Sequence, residues 1–389
     1  MSLDYRWIVP IDVLYLRGNR LFGEGADHAE PLMPPWPSLF AGALRSRMLV
    51  DDGVDLAAFA KGKVSHPVLG TPELPGPFRI AHVSLGRKHG EAIEPLLPLP
   101  SDVVVLKEME GTNPSCEYLL PTRRTDLEPA ELPGDLPALP LLRVCKPAKP
   151  DEPRYWLRRQ GFEKYLRGEV IESGDLVSKR ELWDTDSRLG IALNESTRAA
   201  ETGRIYTTEA VVLRSDVGFL VGAAGASGRL PRDGLLRLGG DGRGATLQRV
   251  EVDQPWFQTP ETRGFRLILA TPGLFPGGWM PPGVRREQDE YWLQFRGLKA
   301  RLHAASVPRH QVISGWDLAS RKPKPAERVT PAGSVYWFEI IERDDSAMEE
   351  ILKEGLWPVM NEMPSAGYAQ RRAEGFNNVW LGGWQPEQS

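Results

Sequence analysis

The sequence has few cysteines and no long apolar run. Only Cys116 and Cys145 occur among its 389 residues, and they form no CxxC pair. This argues against a disulfide scaffold or a cysteine zinc site and favours a reducing, cytoplasmic compartment. No segment approaches the roughly 18 consecutive apolar residues of a membrane-spanning helix. The opening stretch carries Asp4 and Asp12 without a signal-peptide pattern, so we expect a strand there.

An excess of positive charge is also missing. The chain contains 48 lysines and arginines against 52 aspartates and glutamates, and its formal net charge is −4. This balance gives no global attraction to nucleic acid. Any RNA binding must therefore depend on local basic patches.

Catalytic signatures are scarce. The chain has no Gly-Lys-Ser/Thr sequence, which excludes a Walker loop, and no HExxH, Ser-His-Asp or metal-spaced cluster. We therefore predict neither a metal nor a cofactor. Two of the six histidines, His303 and His310, lie an odd number of residues apart on one predicted strand and face opposite sides. His28, beside Asp27, is the one histidine that we single out for a test of acid–base chemistry.

Glycine and proline are abundant, with 39 and 35 copies. In a chain that is 41% apolar, this indicates many turns and long ordered loops. The prolines concentrate between about Pro67 and Pro153, which predicts an insertion of short strands and loops on a regular framework. Rigid loops of this kind are typical docking surfaces for a protein neighbour.

The two parts of the chain repeat one order of elements: strand, helix, hairpin, helix, glycine–arginine loop, strand. This predicts an α+β protein of two ferredoxin-like (RRM-like, βαββαβ) domains. We place the domains at residues 1–255, with the insertion at about 52–185, and at residues 256–389. The expected elements include helices at 36–52, 230–238, 287–297 and 346–360 (the last N-capped by Ser346), a hairpin at 188–213 extended by 217–225, and a second glycine–arginine loop at 364–376.

The stretch "LGGDGRGATLQRV", residues 238–250, packs four glycines and an arginine before an apparent strand. It fits the dinucleotide pattern G-x-G-x-x-A, but that motif needs a following helix. A helix C-cap explains one glycine but not four in six residues. A phosphate-tracking loop explains them best, because bare backbone N–H groups can approach a sugar–phosphate chain. The predicted RNA-binding residues in this loop are Gly239, Gly240, Gly242 and Arg243.

Several stretches together resemble one protein family. "DVLYLRGNRLFGEGADHAEPLMPPWPSLFAGALRSRM", "RLGIALNESTRAAETGRIYTTE", "LRLGGDGR", "VISGWDLASRKPKPAERVTPAGSVYWFE" and "GYAQRRAEGFNNVWLGGW" follow each other in the order of that family. They are similar to the third subunits of the type III-B (Cmr) CRISPR effector complex, which are RAMP-superfamily proteins. The likeness spans both halves and omits the proline-rich insertion.

The resemblance implies a non-catalytic, RNA-binding role in antiviral defence. Such a subunit binds the 5′ tag of the crRNA and bridges the large polymerase-palm (cyclase-type) subunit to the backbone RAMP subunits in a ribonucleoprotein. Beside the glycine loop, it implicates Arg45 on the "GALR" helix, Arg188 at the start of the hairpin, and Arg371 and Arg372 in the second loop. A few of the twelve tryptophans are further candidates, because single-stranded RNA is held by charge and by base stacking, although we expect most of them in the core. Those beside glycines or other loop positions are Trp279, Trp316, Trp337, Trp380 and Trp384.

Two alternatives stay open. Some RAMP relatives cut RNA, so the chain is alternatively a metal-independent crRNA-processing endoribonuclease that uses His28. A weaker alternative is a nucleotide-binding enzyme that uses the glycine loop.

Overall fold

The protein is a strand-rich α+β chain. Its computed structural model describes residues 3–16, 32–108, 114–124, 135–142, 148–151, 154–193, 196–197, 199–253, 258–317, 319–360 and 366–386. None of the helices in these ranges is long and apolar enough to cross a membrane.

The described residues up to Asp253 form three α-helices and fourteen strands. In chain order these are β1 (Asp4–Pro10), α1 (Pro37–Asp51), α2 (Leu56–Ala60), β2 (Arg79–His89), β3 (Ala92–Pro98), β4 (Val103–Glu108), β5 (Pro114–Arg123), β6 (Ala138–Leu142), β7 (Ala148–Pro150), β8 (Tyr155–Arg158), α3 (Arg159–Arg167), β9 (Leu176–Ser178), β10 (Trp183–Leu193), β11 (Ala200–Leu213), β12 (Val217–Ala224), β13 (Asp233–Arg237) and β14 (Gly244–Val250).

The described residues from 258 onward form two α-helices and ten strands. In chain order these are β15 (Gly264–Leu269), β16 (Val284–Glu287), β17 (Glu290–Phe295), β18 (Leu298–Ser306), β19 (Gln311–Ile313), β20 (Trp316–Asp317), β21 (Lys322–Pro323), β22 (Glu327–Val329), β23 (Val335–Glu342), α4 (Asp345–Glu354), α5 (Ala366–Glu374) and β24 (Val379–Trp384).

Two large sheets organise the chain. The first has the order β13-β14-β1-β12-β2-β3-β8-β9, and the second has the order β16-β17-β18-β23-β15-β24. Neighbouring strands are antiparallel in both sheets. The hairpin β10–β11 stands apart as a two-stranded sheet, and a four-stranded sheet, β6-β5-β4-β7, lies in the proline-rich region.

Each half contains one split βαβ unit. In the first half, α1 connects β1 to β2, and β12 lies between these two strands. In the second half, α4 and α5 connect β23 to β24, and β15 lies between them. Within the fully described stretches 225–243 and 270–297, strands and turns replace the second predicted helix of the first half and the first predicted helix of the second. Each half thus carries one split βαβ unit rather than the complete βαββαβ pattern.

Helix α1 forms where its sequence predicts it. Pro37 occupies the first turn, where its missing N–H costs nothing, and Gly53 follows the helix with φ +63°. Phe40, Leu44 and Met48, at helical spacing, are fully buried against the first sheet. This packing holds α1 across the sheet and orients its polar side toward α5.

Four local predictions are wrong. Residues 230–238 form strand β13 rather than a helix, and residues 287–297 hold β17, in which burial alternates with period two. Residues 217–225 do not extend the hairpin: β12 is buried throughout in the first sheet. Helix α4 is capped by Asp344, whose side chain accepts the N–H of Ala347, and not by Ser346, which donates to Asp344.

The predicted insertion contributes strands to the first sheet and a helix that packs on the second. Strands β2, β3, β8 and β9 lie within the predicted insertion at 52–185 and are members of the first sheet. Helix α3 packs on β24, where the rings of Phe162 and Trp380 meet edge to face with centroids 4.7 Å apart. The predicted boundary at Pro255 lies outside the described residues, so the domain division stays a prediction.

Candidate nucleic-acid interface

The first glycine loop connects two strands at the edge of the first sheet. Arg237 of β13 pairs with Gly244 of β14, and the N–H of Leu238 donates to the carbonyl of Arg243 at 2.8 Å. The loop between them is partly exposed to solvent. Because a strand precedes it and a strand follows it, the loop has no helix N-terminus to bind a pyrophosphate, which argues against a dinucleotide site.

The glycines of this loop serve two different structural purposes. Gly239 has φ +80°, and a Cβ there would lie 2.9 Å from the carbonyl oxygen of Tyr15. The N–H of Gly240 donates to the same oxygen at 3.0 Å. Gly239 therefore allows close packing within the protein, whereas a Cβ at Gly240 would make only ordinary contacts with Tyr15, at 3.4 Å and beyond. At Gly242, with φ +64°, a Cβ would meet no atom within 4 Å, so its bare backbone faces open space.

Tyr15 is the centre of a surface cluster that joins the loop to the hairpin. The Arg243 guanidinium lies over the Tyr15 ring, 5.3 Å from its centroid. Arg188, on β10, also interacts with the Tyr15 side chain. Backbone bonds between Leu14 and Val211 in both directions fix the hairpin beside this segment. We call Tyr15, Arg188 and Arg243 the Tyr15 cluster.

Carboxylates already pair with both cations of the Tyr15 cluster. Arg243 Nη1 lies 2.8 Å from Asp12 Oδ2, and Arg188 Nε lies 2.9 Å from Asp186 Oδ2. The hydrogen bond to Asp186 is the main reason that the pKa of Arg188 is raised. Both aspartates are well exposed, so solvent screens these pairs strongly. A phosphate can therefore displace them at small cost.

The second predicted glycine–arginine loop is wrong, because these residues form helix α5. Arg371 is buried in that helix, where Glu327 Oε2 lies 2.6 Å from its Nη2 and Glu374 Oε2 lies 3.1 Å from its Nη1. Its guanidinium thus joins α5 to β22 inside the protein and is not displayed at a surface. Its predicted contact with RNA receives no support from this position.

Arg45, on α1, and Arg372, on α5, lie apart from the glycine loop. Arg45 Nη1 donates to Gln370 Oε1 at 3.3 Å, and burial lowers the pKa of Arg45. Arg372 is more exposed and pairs with Glu354 at 3.0 Å. The structure therefore divides the eight predicted site residues into two groups. Gly239, Gly240, Gly242, Arg243 and Arg188 come together around Tyr15, while Arg45, Arg371 and Arg372 gather where α1 meets α5.

In the part of the chain that the structure describes, neither a metal centre nor a nucleophilic centre accompanies these groups. Within these ranges, no three His, Cys, Asp or Glu side chains cluster as metal ligands. His28 lies outside the described residues. His66 is buried with both ring nitrogens bonded, one to Asp52 and the other to backbone N–H groups. Burial lowers the pKa of His82 to about 4. His303 is held by Glu339 at 2.9 Å.

Sequence reasoning missed Tyr15 and Asp12. An aromatic side chain just past the first strand was the available signal for Tyr15. Asp12 gave none, because its partner Arg243 lies 231 positions away.

Comparisons with known proteins identify a family-level match. The model of a CRISPR-associated protein family, Cas_Cmr3, matches residues 6–384. No curated protein matches the chain.

Solved structures show likeness at low sequence identity. A chain of the type III-B Cmr-beta complex bound to cognate target RNA and AMPPnP, in state 1, superposes with a TM-score of 0.50 at 15% identity, covering 97% of this chain and 96% of the other. A second structure of Cmr-beta bound to cognate target RNA gives 0.47 at 16% identity, with the same coverage. A chain of the Csm3–Csm4 subcomplex of the type III-A interference complex gives 0.35 at 9%, covering 88% and 96%. At these identities, the first match supports the shared fold.

Proposed function

The chain belongs to the CRISPR-associated Cas_Cmr3 family, and on this basis we propose that it is the non-catalytic subunit that binds the 5′ tag of crRNA in a type III-B effector complex. Family membership makes it a subunit of a type III CRISPR effector complex. RNA and other Cmr subunits are its partners in that setting. The resemblance predicted from the sequence is therefore confirmed at the level of the family.

The observation that carries the proposed role is the Tyr15 cluster beside the glycine loop. A single strand of RNA is held by cations along its phosphates and by flat side chains against its bases. Arg243 and Arg188 supply two cations, and Tyr15 supplies an aromatic ring between them. At Gly242 a sugar–phosphate chain can approach the backbone without meeting a side chain.

Displaceable ion pairs suit a site for an anionic strand. Asp12 and Asp186 hold the guanidinium groups in place in the free protein, and a phosphate offers them stronger, bidentate hydrogen bonds. Binding then exchanges weak surface pairs for charge-assisted contacts. The carboxylates also reduce attraction to unrelated polyanions, because the free site carries little net charge.

We propose that the proline-rich region docks the large polymerase-palm subunit, and that the chain also contacts a backbone RAMP subunit. Deleting residues 67–153 would remove β2, a central strand of the first sheet, so deletion cannot separate docking from folding. Leu120 on β5 is half exposed in the four-stranded sheet of this region. Leu120→Asp is expected to release the large subunit in a pull-down while the chain stays folded; unchanged co-purification would contradict this assignment.

The endoribonuclease alternative has less support. Of the described histidines, His66, His82 and His303 are engaged inside the fold, and none lies in the Tyr15 cluster. A nuclease would shorten a repeat-containing transcript, and His28→Ala would stop it. The proposed role requires that tagged RNA stay intact with the wild-type protein and with His28→Ala.

Charge reversal at Arg243 tests the proposed role. Arg243→Glu removes a charge-assisted contact and adds repulsion, so binding of tagged RNA is expected to weaken about tenfold or more, measured by fluorescence anisotropy. The free energy of unfolding should change by less than about 1 kcal/mol, because the pair with Asp12 is exposed.

Arg214 offers a matched control. It is an exposed arginine at the base of the same hairpin, and it pairs with Asp184 at 3.0 Å. Arg214→Glu makes the same charge change outside the Tyr15 cluster and should leave tag affinity nearly unchanged. Equal losses in the two variants would reduce the effect to net charge, and no loss in Arg243→Glu would refute the proposed site.

A further inference from the structure

A long hairpin projects from the second half between β18 and β23. Gln311–Ile313 pairs with Glu327–Val329, and nearer the tip Trp316–Asp317 pairs with Lys322–Pro323. The N–H of Lys324 donates to the carbonyl of Gly315 at 2.8 Å and joins the two paired sections into one ribbon. We call residues 309–328 the basic ribbon, counting the two residues that lead into it.

The base of the basic ribbon is fixed firmly to the body of the protein. Ile313 is fully buried and packs with Trp357 and Phe376. Two ion pairs bind the ribbon to α5: Glu327 pairs with Arg371, and Lys324 pairs with Glu374. The base of the ribbon is therefore held in a defined orientation on the protein.

The ribbon concentrates positive charge along its length. Residues 309–328 contain five lysines and arginines against two carboxylates, in a chain of net charge −4. Arg309, Arg321, Lys322 and Arg328 are all exposed. Across the described ranges, none of these four has an ion-pair partner. They differ in this from Arg243 and Arg188, each of which is already neutralised by an aspartate.

A large aromatic side chain stands among these cations. Trp316 is 58% exposed, although tryptophan usually buries most of its surface. It lies directly across the ribbon from Pro323, next to the register pair of Asp317 and Lys322. Proteins hold a single strand with an exposed ring that stacks on a base and with cations that bind its phosphates, and the basic ribbon carries both.

We propose that the basic ribbon is a second RNA-binding surface, which binds a single strand through the free cations of the tip and through stacking on Trp316. An RNA strand supplies both partners at every nucleotide, a phosphate for the cations and a flat base for the indole. The proposed function enters only in the choice of RNA over single-stranded DNA. The ribbon does not depend on the glycine loop, so the two surfaces can be tested independently.

The charge contribution is tested in the full chain with a labelled 20-nucleotide oligouridine, which lacks any tag sequence. Arg321→Gln together with Lys322→Gln should flatten the slope of log affinity against log salt by up to about 1.4, since each phosphate contact adds about 0.7. Lys61→Gln with Lys63→Gln removes two exposed lysines beside α2 and serves as the matched control. A slope that falls equally in both pairs would refute a specific site on the ribbon.

The stacking contribution has a different signature. Trp316→Ala should weaken oligouridine binding about tenfold and leave the salt slope unchanged, while Trp316→Phe should retain most of the affinity. Wild-type affinity in Trp316→Ala would overturn the proposal, as would loss of another Cmr subunit from the ribbon variants with no change in RNA binding. Arg243→Glu is expected to leave oligouridine binding to the ribbon intact, so failure of the tag site and failure of the ribbon give different results.

Discussion

The glycine loop and helix α5 both combine glycines with arginines near the last strand of a half, and they use them in opposite ways. In the glycine loop, Arg243 lies at the surface over Tyr15 and pairs with the exposed Asp12. In α5, Arg371 is buried between two glutamates. The same residue type is displayed in one region and internal in the other. The difference shows that burial and partners, more than composition, separate a binding arginine from a structural one.

The partners explain how the two regions diverge. Glu374 lies three residues after Arg371, a spacing that brings both side chains to one face of a helix. The carboxylate that pairs with Arg243 is Asp12, which lies 231 positions away in the chain and is exposed. A helix that supplies a buried counter-charge one turn away can bury an arginine, whereas an arginine paired with an exposed carboxylate stays at the surface.

The largest expected effect separates the two arginines of α5. Arg371→Met keeps an apolar stem but leaves Glu374, which is 2% exposed, with Lys324 as its remaining ion-pair partner among the described residues. Breaking a buried pair costs about 3–5 kcal/mol, so we expect the free energy of unfolding in urea to fall by about 3 kcal/mol. Arg372→Met, next to it, removes one exposed pair and should cost less than about 1 kcal/mol.

A double variant identifies the cause of that loss. Glu374→Gln, added to Arg371→Met, removes the stranded carboxylate and should restore part of the stability. Equal stability of the two single methionine variants would contradict a structural role for Arg371 and return it to the candidates for RNA contact.

An intermediate effect distinguishes the glycines of the loop. Gly239→Ala places a Cβ against the Tyr15 carbonyl, at φ +80° and ψ −164°, a conformation nearly restricted to glycine. We expect it to cost about 2–3 kcal/mol of unfolding free energy in the same urea titration.

Gly242→Ala has a positive φ but open space, and should cost about 1 kcal/mol. Gly242→Ala should instead lower the affinity for tagged RNA, because its Cβ stands where the RNA backbone is proposed to approach. Equal destabilisation by both alanines would mean that the loop is held less closely to Tyr15 than its geometry implies.

The sequence predicted the regular elements well where a single period dominates. Helix α1 and strand β14 were expected where they occur, because their burial patterns are local. The helix prediction for residues 287–297 was wrong because a short charged stretch with Tyr291 and Leu293 fits both the helical period and the strand period. The loop prediction for the residues of helix α5 was wrong because two glycines suggested a loop. The contacts that stabilise the helix come from β22 and α1, far away in the chain.

The candidate site was predicted in part for the same reason. Glycine content located the loop, and the exposed Arg243 and Arg188 do come together there. No local pattern could indicate that Tyr15 links them, since the three residues lie on separate elements and meet only after the sheet has formed. Long-range ion pairs such as Arg243 with Asp12 are equally invisible to periodicity.

The smallest expected effect concerns the carboxylate that occupies Arg243. Asp12→Asn removes the competitor for the guanidinium, so tagged RNA should bind a few-fold more tightly, and the unfolding free energy should shift by less than about 1 kcal/mol. Asp184→Asn, at the control pair with Arg214, makes the same change in net charge and should alter tag affinity much less. Both variants are measured by anisotropy at one salt concentration, since affinity for RNA depends steeply on salt. Weaker binding in Asp12→Asn would mean that the aspartate positions Arg243 for the RNA instead of competing with it. The loop would then resemble α5, in which a carboxylate holds an arginine in its working place.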